Sequence, residues 1–174
     1  MALQGLAVLG VMAGGGAVAG VLWFRLWDPP AGVVRSGSWL TDETGLRTDF
    51  SGTGLYVVVA VLTGLLLGAL VALLLARSEL ATLAFLLASA ALAGWVMYRV
   101  GVLDSPGDPQ ALAVGAADAT VLPGRLHVSG WSPFVAFPTG ALLGYAVLLV
   151  ALPGRGVSRE KEPHDVGLDH PFGG

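Results

Sequence analysis

Four long apolar runs set the pattern of this chain: residues 6–24, 53–76, 80–98 and 134–152. None of them contains Asp, Glu, Lys, Arg or His. At ~1.5 Å rise per residue, a helix of about 20 residues matches the ~30 Å hydrocarbon thickness of a bilayer. The pattern therefore predicts an all-α membrane protein, a four-transmembrane-helix bundle. It divides the chain into a membrane domain over residues 1–153, with long loops at 25–52 and 99–133, and a flexible tail over 154–174 that is polar and rich in Gly and Pro.

The first loop mixes Gly, Ser, Thr and charged residues with Val33, Val34, Trp39, Leu40, Leu46 and Phe50. It reads as a hairpin with arms at 39–41 and 46–48, turning at 42–45, where Gly45 would supply a positive φ. In the second loop 104–109 is turn-rich, 111–117 is ambiguous, and 120–128 splits around Pro123-Gly124 into a second hairpin. An even number of spans puts both loops on one side. The expectation is that they pack together as a small extracytoplasmic β-hairpin cap.

Asp28-Pro29-Pro30 ends the first helix, because proline lacks the amide hydrogen and disfavours helix in the residue before it. Ala17-Val18-Ala19 has the small-x-small look of a signal-peptidase site. However, no Lys or Arg precedes the run, and it continues through Trp23 and Phe24, so a retained helix is expected. The short link Arg77-Ser78-Glu79 carries an Arg, and Arg155, Arg159 and Lys161 follow the last run closely. Arg25, Arg35, Arg47, Arg99 and Arg125 are spread along the longer, more acidic loops. The positive-inside bias then places both termini in the cytoplasm of a multi-pass cell (inner) membrane protein.

Composition narrows the chemistry. The chain is 55% hydrophobic and 12% charged, with a net charge of -3, a balance that a soluble domain of this size would not sustain. No basic cluster interleaved with aromatics is present to grip a phosphate backbone, so nucleic-acid binding is not expected. The absence of cysteine excludes disulfides and thiolate sites. Spans without ionisable groups also argue against pumps and membrane-embedded catalysts.

Small residues recur at four-residue spacing: Ala60, Gly64, Gly68 and Ala72 on the second helix, and Ala136, Gly140 and Gly144 on the fourth. Gly10 with Gly14 and Gly16 with Gly20 do the same on the first. Such stripes let helix backbones approach closely in lipid, and they serve either the packing of this bundle or a seam with a second copy or partner. Arg99 follows Trp95 and Tyr98 at the end of the third run. At the bilayer centre an Arg would cost ~2.5–3.5 kcal/mol on the insertion scale. Arg99 is read either as an interfacial anchor or as the partner of an acid (Asp28 or Asp49) or of a lipid phosphate.

His164, Asp165, Asp169 and His170 are too loosely spaced for a metal site, and His127 stands alone on a predicted strand. No metal, cofactor or catalytic residue is expected. The glycine cluster Gly14, Gly15, Gly16 and Gly20 lies inside an apolar run and reads as packing.

The segment Trp27-Asp28-Pro29-Pro30, the acidic stretch into Asp49-Phe50-Ser51-Gly52, and Trp95-Val96-Met97-Tyr98-Arg99-Val100-Gly101 resemble uncharacterised actinobacterial four-helix membrane proteins of the domain-of-unknown-function 2567 type. The resemblance implies an actinobacterial inner-membrane protein and brings no activity, cofactor or site residue with it. The leading expectation is a non-enzymatic accessory or interaction protein of the cell envelope. Its partners would be the lipid bilayer and a membrane protein or a second copy. The rival is a passive permeation or lipid-handling oligomer, for which only Thr63, Thr82, Ser89 and Thr139 offer polar lining. An enzyme using the loop acids Asp28, Asp42, Glu43 and Asp49 comes third.

Overall fold

The computed structural model describes residues 2–75 and 79–151; the tail, with its Arg, Lys and His positions, and the link residues Arg77 and Ser78 lie outside them. Helix α1 (Ala2–Leu26) leads to strands β1 (Ala31–Arg35) and β2 (Ser38–Leu40), and then to α2 (Glu43–Leu75). Helix α3 (Glu79–Leu103) is followed by the short α4 (Pro109–Ala113), strand β3 (Val121–Pro123), a 3-10 turn (Ser132–Val135) and α5 (Ala136–Ala151). The structure is mostly helical. Four segments are long and apolar enough to cross a membrane: Gly5–Leu26, Glu43–Leu74, Leu83–Leu103 and Ser132–Ala151.

Several boundaries differ from those expected. Helix α2 begins at Glu43 rather than at residue 53, so the expected strand at 46–48 is helical. Asp42, expected in a turn, is instead a helix cap: its carboxylate accepts from the Gly45 amide at 2.8 Å and its carbonyl from the Leu46 amide at 3.0 Å. Gly45 does not have a positive φ. It is small because a Cβ there would collide with the Thr41 hydroxyl. The hairpin turns earlier, at Ser36 (φ 50°) and Gly37 (φ 74°), a two-residue connection that needs the left-handed region at both positions. At 33 residues α2 is about 50 Å long, roughly 20 Å more than a hydrocarbon core spans. Its first turns stand as a post beside the sheet.

The second loop forms no hairpin of its own. β3 pairs antiparallel with β1 (Gly32↔Leu122), on the edge opposite β2 (Val34↔Trp39), giving the order β2-β1-β3. The two loops thus join in one three-stranded sheet. The Trp39 indole lies over Gly32, in space a side chain there would fill, and donates to the Leu122 carbonyl at 3.0 Å. One sheet edge is covered and the other is blunted. The Gln110 side chain donates to the Trp39 carbonyl at 2.9 Å and accepts from its amide at 3.2 Å, as a neighbouring strand would. On the other edge Pro123 has no amide to offer.

Below the sheet the helices form two intimate pairs, α1 with α3 and α2 with α5, each pair parallel. A Cβ at Gly64 would meet the Phe137 carbonyl, one at Gly68 that of Ala141, one at Gly140 that of Val61 and one at Gly144 that of Leu65. Ala60, Ala72 and Ala136 are buried alongside. On α1, Gly16 and Gly20 lie against the carbonyls of Ala93 and Met97. Gly10 and Gly14, expected to pack likewise, face open space, because the helix turns that side outward.

The pairing reveals an internal repeat. Residues 17–26, AVAGVLWFRL, align with 91–100, ALAGWVMYRV, at the cap ends of α1 and α3. Val59, Ala60, Thr63, Gly64, Leu66, Leu67, Gly68, Val71 and Leu73 recur 76 residues later as Val135, Ala136, Thr139, Gly140, Leu142, Leu143, Gly144, Val147 and Leu149. The α2–α5 contacts obey the same shift: Gly64 on Phe137 becomes Gly140 on Val61, and Gly68 on Ala141 becomes Gly144 on Leu65. The chain is thus built of two helix–loop–helix halves, and the shift relates the α2–α5 contacts but not those of α1 with α3, where Gly20 meets Met97 while its counterpart Gly94 meets Phe137 and Tyr56.

Gly64→Leu or Gly68→Leu pushes a branched side chain into a backbone carbonyl. Each should lose stability at or above the upper end of the ~1–3 kcal/mol overpacking range, read by thermal unfolding in mild detergent. Gly10→Leu should leave the midpoint unchanged. Gln110→Ala should cost about 1 kcal/mol and speed hydrogen exchange at the Trp39 amide.

Candidate functional site

Three stretches of chain converge between the sheet and the post of α2, and a cleft of about 230 Å³ opens among them. Trp39, Leu46 and Pro109 supply its apolar floor; Asp49, Asp108 and Arg125 supply its charge, and His127 lines it beside them. This volume is below the ~300–1,000 Å³ of drug-sized pockets. The lining offers carboxylates and basic groups over an indole, which suits the polar end of a small molecule. Asp108 is partly committed, since it caps α4 by accepting from the Gln110 amide at 3.1 Å.

His127 is not on a strand: it follows β3 in the segment that returns the chain to α5. Its Nδ1 lies 3.6 Å from an Asp49 carboxylate oxygen and 3.3 Å from the Arg125 carbonyl, and its Nε2 is 3.4 Å from the Ser129 hydroxyl. The Ser129 amide donates to Thr53 at 3.0 Å. Sequence alone could not pair His127 with Asp49, 78 positions away, because the pairing depends on the return segment running beside the extended α2. The separations exceed the ~2.6–3.2 Å at which a base activates a hydroxyl. What the string does in this geometry is tie the return segment to the post.

The acids singled out in the first loop are dispersed. Asp42 caps α2, Glu43 forms an exposed i,i+4 pair with Arg47 at 2.7 Å, and Asp28 and Asp42 border a second, open groove of about 490 Å³. Among the described residues no group of three or more His, Asp or Glu side chains comes together in a way that could hold a metal ion.

Arg99 lies within α3, four residues before its end, rather than at a helix terminus. Its guanidinium carbon sits 5.5 Å from the centroid of the Trp95 ring, a cation–π contact. It meets neither Asp28 nor Asp49, and among the described residues no acid lies within ion-pair distance of it.

Beneath the cleft the bundle is closed by aromatics. Trp23 and Tyr56 meet edge to face at 5.1 Å, as do Tyr98 and Phe134 at 5.3 Å. The buried polar tips are satisfied across helices and loops: Trp23 Nε1 donates to the Gly52 carbonyl at 2.8 Å and the Tyr56 hydroxyl to the Gly94 carbonyl at 2.9 Å. Ser89 and Thr139, weighed as pore lining, turn their hydroxyls back to Phe85 and Val135 of the preceding helical turns.

Tyr56→Phe keeps the ring and removes one interhelical hydrogen bond. Its expected cost is about 0.5–1.5 kcal/mol, measured as a shift in the unfolding midpoint. Compared with protein-family models, curated proteins and solved structures, the chain matches none of them, so the resemblance noted for residues 27–30, 49–52 and 95–101 rests on those segments alone.

Proposed function

We propose that this chain is an integral protein of the cell membrane, spanning it four times with both termini cytoplasmic and the three-stranded cap outside. It would act there as a non-enzymatic accessory or interaction protein of the envelope, as the resemblance to actinobacterial four-helix proteins suggests. The observation that carries the reading is the outward face of the bundle. Only about a third of each span is buried against the rest of the chain. Leu6, Val18, Leu66, Leu74 and Val150 are each at least 66% exposed. An apolar surface encircling all four helices calls for lipid rather than water.

Orientation rests on Arg77 in the short link and on Arg155, Arg159 and Lys161 beyond the last span. An interaction role is supported by the cap's ordered hydrogen bonding, which presents a fixed surface, and by a bundle interior that, among the described residues, buries aromatics and backbone contacts and no Asp, Glu, Lys, Arg or His. The partner in this reading is a membrane protein or a second copy. A lipid-handling role is the second reading, and Arg99 is the observation that favours it.

Alkaline carbonate should leave the full-length protein in the membrane pellet. Periplasm-active reporters should work in the Ser36–Gly37 turn and stay silent at the C-terminus; the reverse pattern inverts the topology. Release by carbonate removes the membrane assignment. Affinity purification in mild detergent should bring along a stoichiometric envelope protein, and recovery of the chain alone would count against the accessory role.

A further inference from the structure

We propose that Arg99 and Trp95 form a site for a phosphate monoester or diester group, held on the lipid-facing side of α3 and supplied by the headgroup of an anionic phospholipid. The inference rests on the membrane reading above and names a ligand within it.

The first observation is the setting of the charge. α3 continues past Arg99 through Val100, Gly101, Val102 and Leu103. Leu103 is 73% exposed and Trp95 is 53% exposed. An exposed guanidinium therefore has outward apolar side chains one turn below it and one turn above it. A cation in such surroundings draws in an anion, and the described residues provide none.

The second observation is the repeat, which supplies an internal comparison. Arg25 is the sequence counterpart of Arg99, 74 residues earlier. The parallel helices pack with Gly20 level with Met97, an offset of 77. Arg25 lies five residues beyond Gly20 towards the cap, and Arg99 two beyond Met97. Arg99 is thus three residues, about 4.5 Å, deeper below the cap than its counterpart. α1 ends one residue after Arg25, and Asp28-Pro29-Pro30 follows at once. Arg25 can reach water where Arg99 meets the headgroup layer.

The third observation is orientation. Contact with the Trp95 ring at 5.5 Å holds the guanidinium without using its N–H groups. A phosphate takes two such N–H groups at once, in the fork geometry that lysine lacks.

The test uses the full-length protein in nanodiscs of mixed phosphatidylcholine and phosphatidylglycerol, extracted in mild detergent, with phosphatidylglycerol per protein counted by mass spectrometry. Arg99→Ala and Arg99→Lys should each lower the retained phosphatidylglycerol about fivefold, and Arg25→Ala should leave it unchanged. Arg99→Lys keeps the charge and guards against a variant that merely misfolds. Retention in Arg99→Ala, full retention in Arg99→Lys, or equal loss in Arg25→Ala would each overturn the proposal. Displacement by inorganic phosphate would overturn the lipid as the source. Carbonate extraction of the same wild-type sample separates the two layers: release removes the membrane reading, whereas a pelleted protein leaves the lipid count to decide this inference alone.

Discussion

At the centre of the bundle, glycines on α2 rest on carbonyls of α5 and glycines on α5 rest on carbonyls of α2. In the membrane setting proposed for this chain, lipid tails are as apolar as leucine, so the helices would gain little from hiding side chains from one another. Close backbone contact supplies the van der Waals energy instead. That contact fixes the separation and register of the two helices. The rest of the molecule is arranged around it: α1 and α3 form the other parallel pair, and the aromatic layer of Trp23, Tyr56, Tyr98 and Phe134 fills the space between the pairs at the cap end.

The repeat explains why parallel pairs arise although each half is an antiparallel hairpin. When two copies of a helix–loop–helix unit pack in the same orientation, equivalent helices run in the same direction. Equivalent loops then meet at the same end. The first gives a β-hairpin and the second contributes one strand, so the sheet is completed only when both halves are present. The halves have diverged most in these loops, where α4 and the His127 segment have no counterpart in the first half. The charged cleft lies among those divergent pieces.

A few polar contacts hold the cap end of the molecule together. Trp23 reaches up to the Gly52 carbonyl, Ser105 accepts from the Leu126 amide at 2.7 Å, and Ser129 donates to Thr53. Each joins segments far apart in sequence. Together with the buried Val34, Ala113 and Leu126 they give the loops a small core, in place of long structureless connections.

The sequence alone determined the four helices and marked Gly64, Gly68, Gly140 and Gly144 as surfaces of close approach, because uninterrupted apolar length and four-residue spacing are local signals, while the fold decided that these stripes meet each other. The stop at Asp28-Pro29-Pro30 was legible for the same reason. The start of α2 was not: Asp42 and Gly45 suit a turn as well as a cap, and the neighbouring Thr41 and the sheet decide between them. Packing of Gly16 and Gly20, with Gly10 and Gly14 left outward, depended on which face of α1 meets α3. Tertiary structure alone decided the pairing of β1 with β3, the approach of Asp49 to His127 and the depth of Arg99, since each depends on how two distant segments are held relative to one another, and local spacing carries no record of that distance.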